Sequence, residues 1–218
     1  MKSFTLGSFA ELHGYVAPHG RAFVYRGVTD VEHQLIPSVG RGAYDLQAVL
    51  KTEADLLWLF KSHARPLLNF QPNSDWEWLT LAQHHGLPTR LLDWTRNPLV
   101  GLFFACRSGA ESDGTLYCLH ASDLINPSTQ PDPWSVSQPN LVLPAYVTPR
   151  LSAQSGLFSI HPVPNAPLVL GHDTKLVIPK GLKPTFLEAL AQYGVHSGSM
   201  FPELDGLCVH LKWLKVAQ

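Results

Sequence analysis

The sequence has no surplus of charge of either sign: 16 lysines and arginines stand against 17 acidic residues in 218, a formal net charge of −1. No overall field therefore gathers nucleic acid or an anionic membrane, and any basic site must be local. Cysteine is scarce as well. Cys106, Cys118 and Cys208 are odd in number, far apart and set in apolar sequence, the pattern of reduced, buried thiols, so no disulfide is expected and a cytoplasmic location follows. The longest hydrophobic run, Leu99 to Cys106, is far short of the ~20 residues that a membrane span needs. Met1 to Phe9 carries one lysine and no apolar stretch of signal-peptide length, which predicts no export and no membrane partner. Repeats and low-complexity tracts are absent too.

What is present suits one generous core, since hydrophobic residues make up 45% of the chain and can offset the entropy lost on ordering. Phe23 to Gly27 combines β-branched and aromatic residues ahead of a glycine, which predicts an early strand with Arg26 at its end. From Tyr44 to Leu68 apolar residues recur at three and four, and Pro66 marks the stop of one or two helices. Asp75 is the expected N-cap of a further helix through Trp76, Trp78, Leu79 and Ala82, closed by Gly86 ahead of Pro88, with His84 and His85 in its last turn. Asn97-Pro98 opens a third helix, whose run Leu99 to Cys106 is hydrophobic nearly all round and therefore buried. Strands are expected at Gly114 to Leu119, Leu157 to His161 and Lys175 to Ile178, and a helix at Pro184 to Tyr193. The proline- and serine-rich stretch Asn126 to Pro144 reads as an extended surface loop.

The run Gln83 to Thr95 places Gln83, His84, His85, Thr89, Arg90, Asp93 and Thr95 between two apolar helices. A polar group near a core must find a partner or face a cavity, because leaving it unpaired costs roughly 1–3 kcal/mol. Pairing Arg90 with Asp93 would satisfy two of these groups, guanidinium fork against carboxylate. The plainer alternative is an ion pair that is only structural, with histidines capping a helix. Metal binding is poorly served, since adjacent histidines on a helix point about 100° apart and no further ligand stands three or four residues on. No Gly-x-Ser-x-Gly elbow is present, and no cysteine is placed where a visible mechanism would activate it.

Arg26 is a separate candidate. A strand-end arginine can present its fork to a phosphate or carboxylate while Gly27 lets that ligand come close; a surface salt bridge is the alternative. Arg150 and Gln154, within Pro149 to Phe158, repeat the theme of polar groups entering a strand. In the tail, Glu203 and Asp205 offer two carboxylates, although Phe201 to Gly206 also has the composition of a plain turn.

Taken in order, Tyr25-Arg26-Gly27, the run Gln83 to Thr95 continuing into Asn97-Pro98-Leu99, Arg150 to Phe158 and Phe201 to Gly206 resemble the FRG domain family. The resemblance covers about residues 20–210, so that 1–218 is read as a single domain of this kind. Val24 to Val28 is similar, more distantly, to the opening strand of the arginine-first ADP-ribosyltransferases, whose arginine contacts the phosphates and nearby ribose of NAD. The layout of Thr89 to Thr95, Leu99 to Ala105 and Thr115 to Leu119 is similar as well. These resemblances imply an α+β fold with a split mixed or antiparallel sheet flanked by helices, and NAD as a substrate rather than a resident cofactor. Gln154 to Phe158 looks like the strand that bears the catalytic glutamate of those enzymes, with Gly156 in the glutamate's place. The charge set against the ribose cation would then have to come from Asp93 or Glu203, with Gln154 contributing a dipole.

Three readings stay open. In the first, Arg26 holds phosphate, His84 or His85 and Thr89 line a cleft, Arg90 and Asp93 brace it, and Gln154 positions ribose. The reaction would be ADP-ribosyl transfer, to a protein or nucleic-acid acceptor left undetermined, or NAD hydrolysis, in a toxin or phage-defence setting. Tyr25, Gly27, Gln83, Trp94, Thr95 and Arg150 complete the expected binding set. In the second reading the same residues hold a nucleotide, a nucleic-acid end or a partner carboxylate without chemistry. In the third, carboxylates and His84 or His85 converge on a metal ion in a nuclease. The cleft of the first two requires that Arg26 and the histidine-to-tryptophan stretch meet in one hollow.

Overall fold

The computed structural model describes residues 2–121, 123–169 and 174–216. The first part of the chain forms β1 (Lys2–Thr5), α1 (Phe9–Val16), β2 (Phe23–Val28), α2 (Leu46–Ala64) and α3 (Asp75–His84). The middle forms β3 (Leu91–Thr95), α4 (Pro98–Cys106), β4 (Gly114–His120), β5 (Leu124–Ile125) and β6 (Asn140–Val142). Then come α5 (Pro149–Ala153), β7 (Gly156–Ile160), β8 (Thr174–Ile178), α6 (Lys183–Gln192), α7 (Ser197–Met200) and α8 (Leu204–Val216). The class is α+β, as expected, and among the described residues no helix is long and apolar enough to cross a membrane.

One eight-stranded mixed sheet takes strands from both ends of the chain, in the order β1-β8-β4-β2-β3-β7-β6-β5. Its two halves are well zipped inside and barely joined to each other. β2 pairs with β4 from Phe23↔His120 to Val28↔Thr115, and β3 pairs with β7 from Leu91↔Ile160 to Thr95↔Gly156. Between β2 and β3 the register holds only Tyr25↔Thr95. The sheet therefore opens immediately past Tyr25, and this split puts Arg26 at its apex.

Side-chain alternation along β2 sends Val24 and Tyr25 into different cores. Val24 joins Leu35, Leu92, Trp94, Tyr117 and Leu157. Tyr25 joins Leu102, Leu116, Ile178 and Phe186 beneath α4, where burial pushes its phenol up to about 12. Gly27 has a different reason from the one expected. A Cβ there would lie 2.0 Å from the Gly101 carbonyl oxygen and 2.4 Å from the Ala105 nitrogen, so the missing side chain admits the backbone of α4 rather than a ligand.

Several boundaries differ from the sequence reading. Ser74, not Asp75, caps α3, its Oγ accepting from the Glu77 amide at 3.2 Å; Asp75 is the first helical residue and is ion-paired with Lys61. A carboxylate there still favours the helix N-terminus. At the other end Gly86 takes φ +83°, as a C-terminal glycine should. The supposed surface loop contains β6, which pairs with β7 and buries Leu141 and Val142; three residues between prolines carry too little pattern to reveal a strand. Arg150 lies on α5 rather than entering a strand. Cys106 and Cys118 are buried as expected, but Cys208 is exposed on α8, a helix the turn-like start of the tail concealed.

Behind the sheet, the Trp94 indole donates to Ser159 Oγ at 2.8 Å, and that oxygen lies 2.8 Å from His161 Nε2. Ser159 and His161 are both buried. Burial, with Arg26 adding to it, pushes the His161 imidazole down to about 4, below its unfolded value near 6.5. The unfolded chain then binds the extra proton first, so His161 favours folding fully above pH 6.5 and loses that contribution as pH falls toward 4, to the extent of about 3 kcal/mol. Urea melts from pH 7 to 4 are expected to show this loss, and His161→Gln should flatten the profile; an unchanged slope in the variant would assign the acid sensitivity elsewhere.

Candidate functional site

Arg26, inside β2 rather than at its end as expected, faces the middle of β3 across the split. Arg26 is 14% exposed and donates from Nη1 to the Asp93 carbonyl oxygen at 2.6 Å, with Asp93 Oδ2 3.6 Å away. Its Nε is buried and meets no hydrogen-bond partner. Burial chiefly, with Arg41 adding and Asp93 opposing, pulls its proton affinity down, yet a guanidinium stays charged at neutral pH. Asp93 is the reverse case, with its side chain 61% exposed.

Asp93 is held from behind by a relay that starts in the backbone. The Leu91 amide donates to Thr89 Oγ1 at 3.1 Å, and the Thr89 hydroxyl donates to Gln83 Oε1. Gln83 Nε2 then donates to Asp93 Oδ2 at 3.0 Å. Thr89 is thus buried one step behind the opening, orienting Gln83 rather than lining the cleft itself. On the far wall, Thr95 Oγ1 donates to the Gln154 carbonyl at 2.6 Å and Gln154 Nε2 to the Met200 carbonyl at 2.8 Å. Ser155 follows at φ +47°, the left-handed region in which a non-glycine residue is strained. His84 places Nδ1 3.3 Å from Thr148 Oγ1, and its ring meets that of His85 edge-on. Burial, then His85 and Arg150, lowers the His84 pKa against the opposing pull of Glu203 and Asp93.

A cavity of about 550 Å³ opens between these walls. Around it stand Tyr25, Arg26, Gly27, Gln83, His84, His85, Asp93, Trp94, Thr95, Arg150 and Gln154, together with Gly86, Phe104, Leu151 and Phe158. Two of the expected residues only border it: the Tyr25 ring and the Trp94 indole are both turned into the core. Arg26, Gln83, His84, His85, Asp93, Arg150 and Gln154 supply its polar faces. A second cavity of about 550 Å³ meets the first at Arg26, Gly27 and Phe104.

Two expected site residues lie elsewhere. Arg90 does not pair with Asp93, because residues three apart in an extended chain point to opposite faces. It turns inward, donating from Nε and from its backbone amide to the Glu53 carboxylate, both at 2.7 Å, with Trp134 stacked 4.6 Å from the guanidinium. Glu53 was legible as an oddity, an acid at helical spacing between buried Val49 and Leu57. Glu203 is exposed and is not among the residues around the cavity; its amide closes the turn onto the Phe201 carbonyl at 2.8 Å. Among the described residues no three His, Cys, Asp or Glu side chains gather as a metal site, so the donors that a metal-dependent nuclease requires do not converge here.

Phe201 is the residue that the sequence reading passed over. The guanidinium of Arg150 lies 4.6 Å from its ring and that of Arg107 4.8 Å, while Arg107 also sits 5.6 Å from Phe104. Such contacts obey no periodicity, and only coordinates reveal them.

Compared with known proteins, residues 21–114 match the family model described as the FRG domain. No curated protein and no solved structure matches the chain. The matched segment contributes Arg26, Gln83, His84, His85 and Asp93, and the wall with Arg150 and Gln154 comes from beyond it.

Proposed function

Because the chain carries an FRG domain whose arginine stands at the apex of a split sheet, we propose that the cleft binds NAD or a related nucleotide and acts on its N-glycosidic bond. The observation that carries this reading is the pairing of opposites at one opening. A buried guanidinium with an unpartnered Nε lies beside an accessible carboxylate. The part of the guanidinium that stays accessible can give an incoming phosphate oxygen a charge-assisted bond.

In this reading Arg26 anchors phosphate and Arg150 adds a second cationic contact. Gln154, whose amide nitrogen is spent on Met200, offers Oε1 as an acceptor for a ribose hydroxyl. Breaking the bond between ribose C1′ and the base nitrogen sends the electron pair to the departing nicotinamide and leaves positive charge on the sugar. Asp93, fixed by Gln83, opposes that charge. Water, or an acceptor nucleophile, then forms the new bond to C1′ and gives up its proton to Asp93 or to solvent. The first outcome is hydrolysis and the second ADP-ribosyl transfer.

One observation favours a binding module instead. Asp93 is already engaged by Arg26 and Gln83, and a carboxylate so paired lends less field to a nascent cation. Thermal unfolding with and without NAD tests binding first. At tenfold excess over Kd the wild type should gain about 1.4 kcal/mol, roughly 3–6 °C for a chain of this length, and Arg26→Ala should gain nothing. No NAD-dependent shift in the wild type would refute both nucleotide readings. Release of labelled nicotinamide then separates enzyme from module.

A further inference from the structure

The second cavity extends past Arg26, Gly27 and Phe104 beyond the first. It is bounded by Glu32, His33, Gln34, Arg41, Arg107 and Ser108 beyond the shared waist. Its charged groups are unbalanced: Arg26, Arg41 and Arg107 face Glu32 alone. Among the described residues neither Arg41 nor Arg107 has a carboxylate within ion-pair distance. Among the described residues the Arg41 side chain makes one hydrogen bond, its Nε donating to the Ile36 carbonyl at 3.1 Å, which leaves the rest of its fork open. Arg107 lies against two rings, 5.6 Å from Phe104 and 4.8 Å from Phe201, which themselves meet edge-on at 6.1 Å. Phe201 in turn carries Arg150 of the first chamber. The guanidiniums of Arg107, beside the second chamber, and Arg150, beside the first, thus both lie against Phe201.

Like charges gathered around adjoining chambers repel, and they are relieved when an anion comes between them. Arg26 sits where the chambers join, with its Nε facing no protein acceptor. Two chambers of equal volume on either side of a cationic waist match a ligand with two bulky ends and a charged centre. We infer that the cleft takes a diphosphate-bridged dinucleotide, with the diphosphate over Arg26 at the waist and the nucleoside distal to the reacting bond in the second chamber, its 5′-phosphate against Arg41 and Arg107. This rests on the nucleotide reading of the first chamber and extends it to a chamber nothing else assigns. The end bearing the scissile bond lies beside Asp93, and Arg41 and Arg107 select the dinucleotide over its halves.

The test is calorimetric titration of NAD, AMP and nicotinamide mononucleotide into the wild type and into the double variant Arg41→Gln, Arg107→Gln. Both arginines are exposed, so the variant should fold, and its urea melt checks that it does. The wild type should bind NAD at least about tenfold more tightly than either half. The double variant should lose about tenfold or more in affinity for NAD and for AMP, as expected for charge-assisted bonds, while the mononucleotide Kd stays within about twofold. Unchanged NAD affinity in the variant would overturn the assignment of the second chamber and leave the first untouched. Equal losses for AMP and nicotinamide mononucleotide would also overturn it, as a general charge effect. A wild type that binds none of the three would bring down the nucleotide reading and this extension together.

Discussion

Asp93→Asn is expected to slow nicotinamide release from NAD by about 10²–10³-fold while moving NAD affinity by no more than a few fold. The substitution keeps the shape of the side chain and an oxygen that can still accept from Gln83 Nε2, the bond that is 3.0 Å long in the native protein. It removes only the charge. Ground-state binding rests on Arg26, whose bond to the Asp93 carbonyl is made by backbone and survives the change, so the loss should fall on kcat rather than KM. Because the side chain is largely exposed, folding should change by less than about 0.5 kcal/mol. An unaltered rate would remove Asp93 from the chemistry, and a rate that falls in step with NAD affinity would make it a binding residue.

Glu53→Ala should cost more stability than any surface substitution in the chain, about 3–5 kcal/mol. Glu53 is buried in α2 and accepts from both the side chain and the backbone amide of Arg90, so its removal strands a guanidinium and an N–H together. Its own carboxyl is pushed up by burial, against the pull of Arg90, which marks the pair as costly to desolvate as well as costly to break. Two consequences follow for thermal melts. The single variant should unfold roughly 6–20 °C lower, whereas Glu53→Leu combined with Arg90→Met should recover the part due to the stranded guanidinium, the backbone amide of residue 90 remaining unpaired. A double variant as unstable as the single one would mean that the pair holds the register of β3, beyond satisfying its own charges.

How much of this was legible in the sequence depended on whether the signal was local. The early strand carrying Arg26, the glycine stop at Gly86 and the Asn97-Pro98 start each depend on a few adjacent residues and each is present, although the strand runs on through Gly27 to Val28 and leaves Arg26 inside it. The meeting of Arg26 with Gln83 to Thr95 was a requirement of the cleft readings that no local residue pattern dictates, and the split between β2 and β3 supplies its physical cause. Pairings across the chain were not legible. Arg90 lies near Asp93 in sequence, but its partner is 37 residues away on α2. Gly27 looked like room for a ligand because nothing in the sequence says that α4 crosses there. The second chamber draws Arg41 and Arg107 from segments with no motif at all, and the contacts of Phe201 with Arg107 and Arg150 join residues far apart in the chain.

The central claim is that the buried guanidinium of Arg26 receives an anionic nucleotide in the opening of the sheet. Titration of NAD into the wild type and into Arg26→Ala, followed by heat, measures it directly. The account predicts saturable one-site binding by the wild type and its loss, by about 1.5–3 kcal/mol or more, in a variant whose unfolding curve remains cooperative. Binding isotherms that superimpose for the two proteins would contradict it.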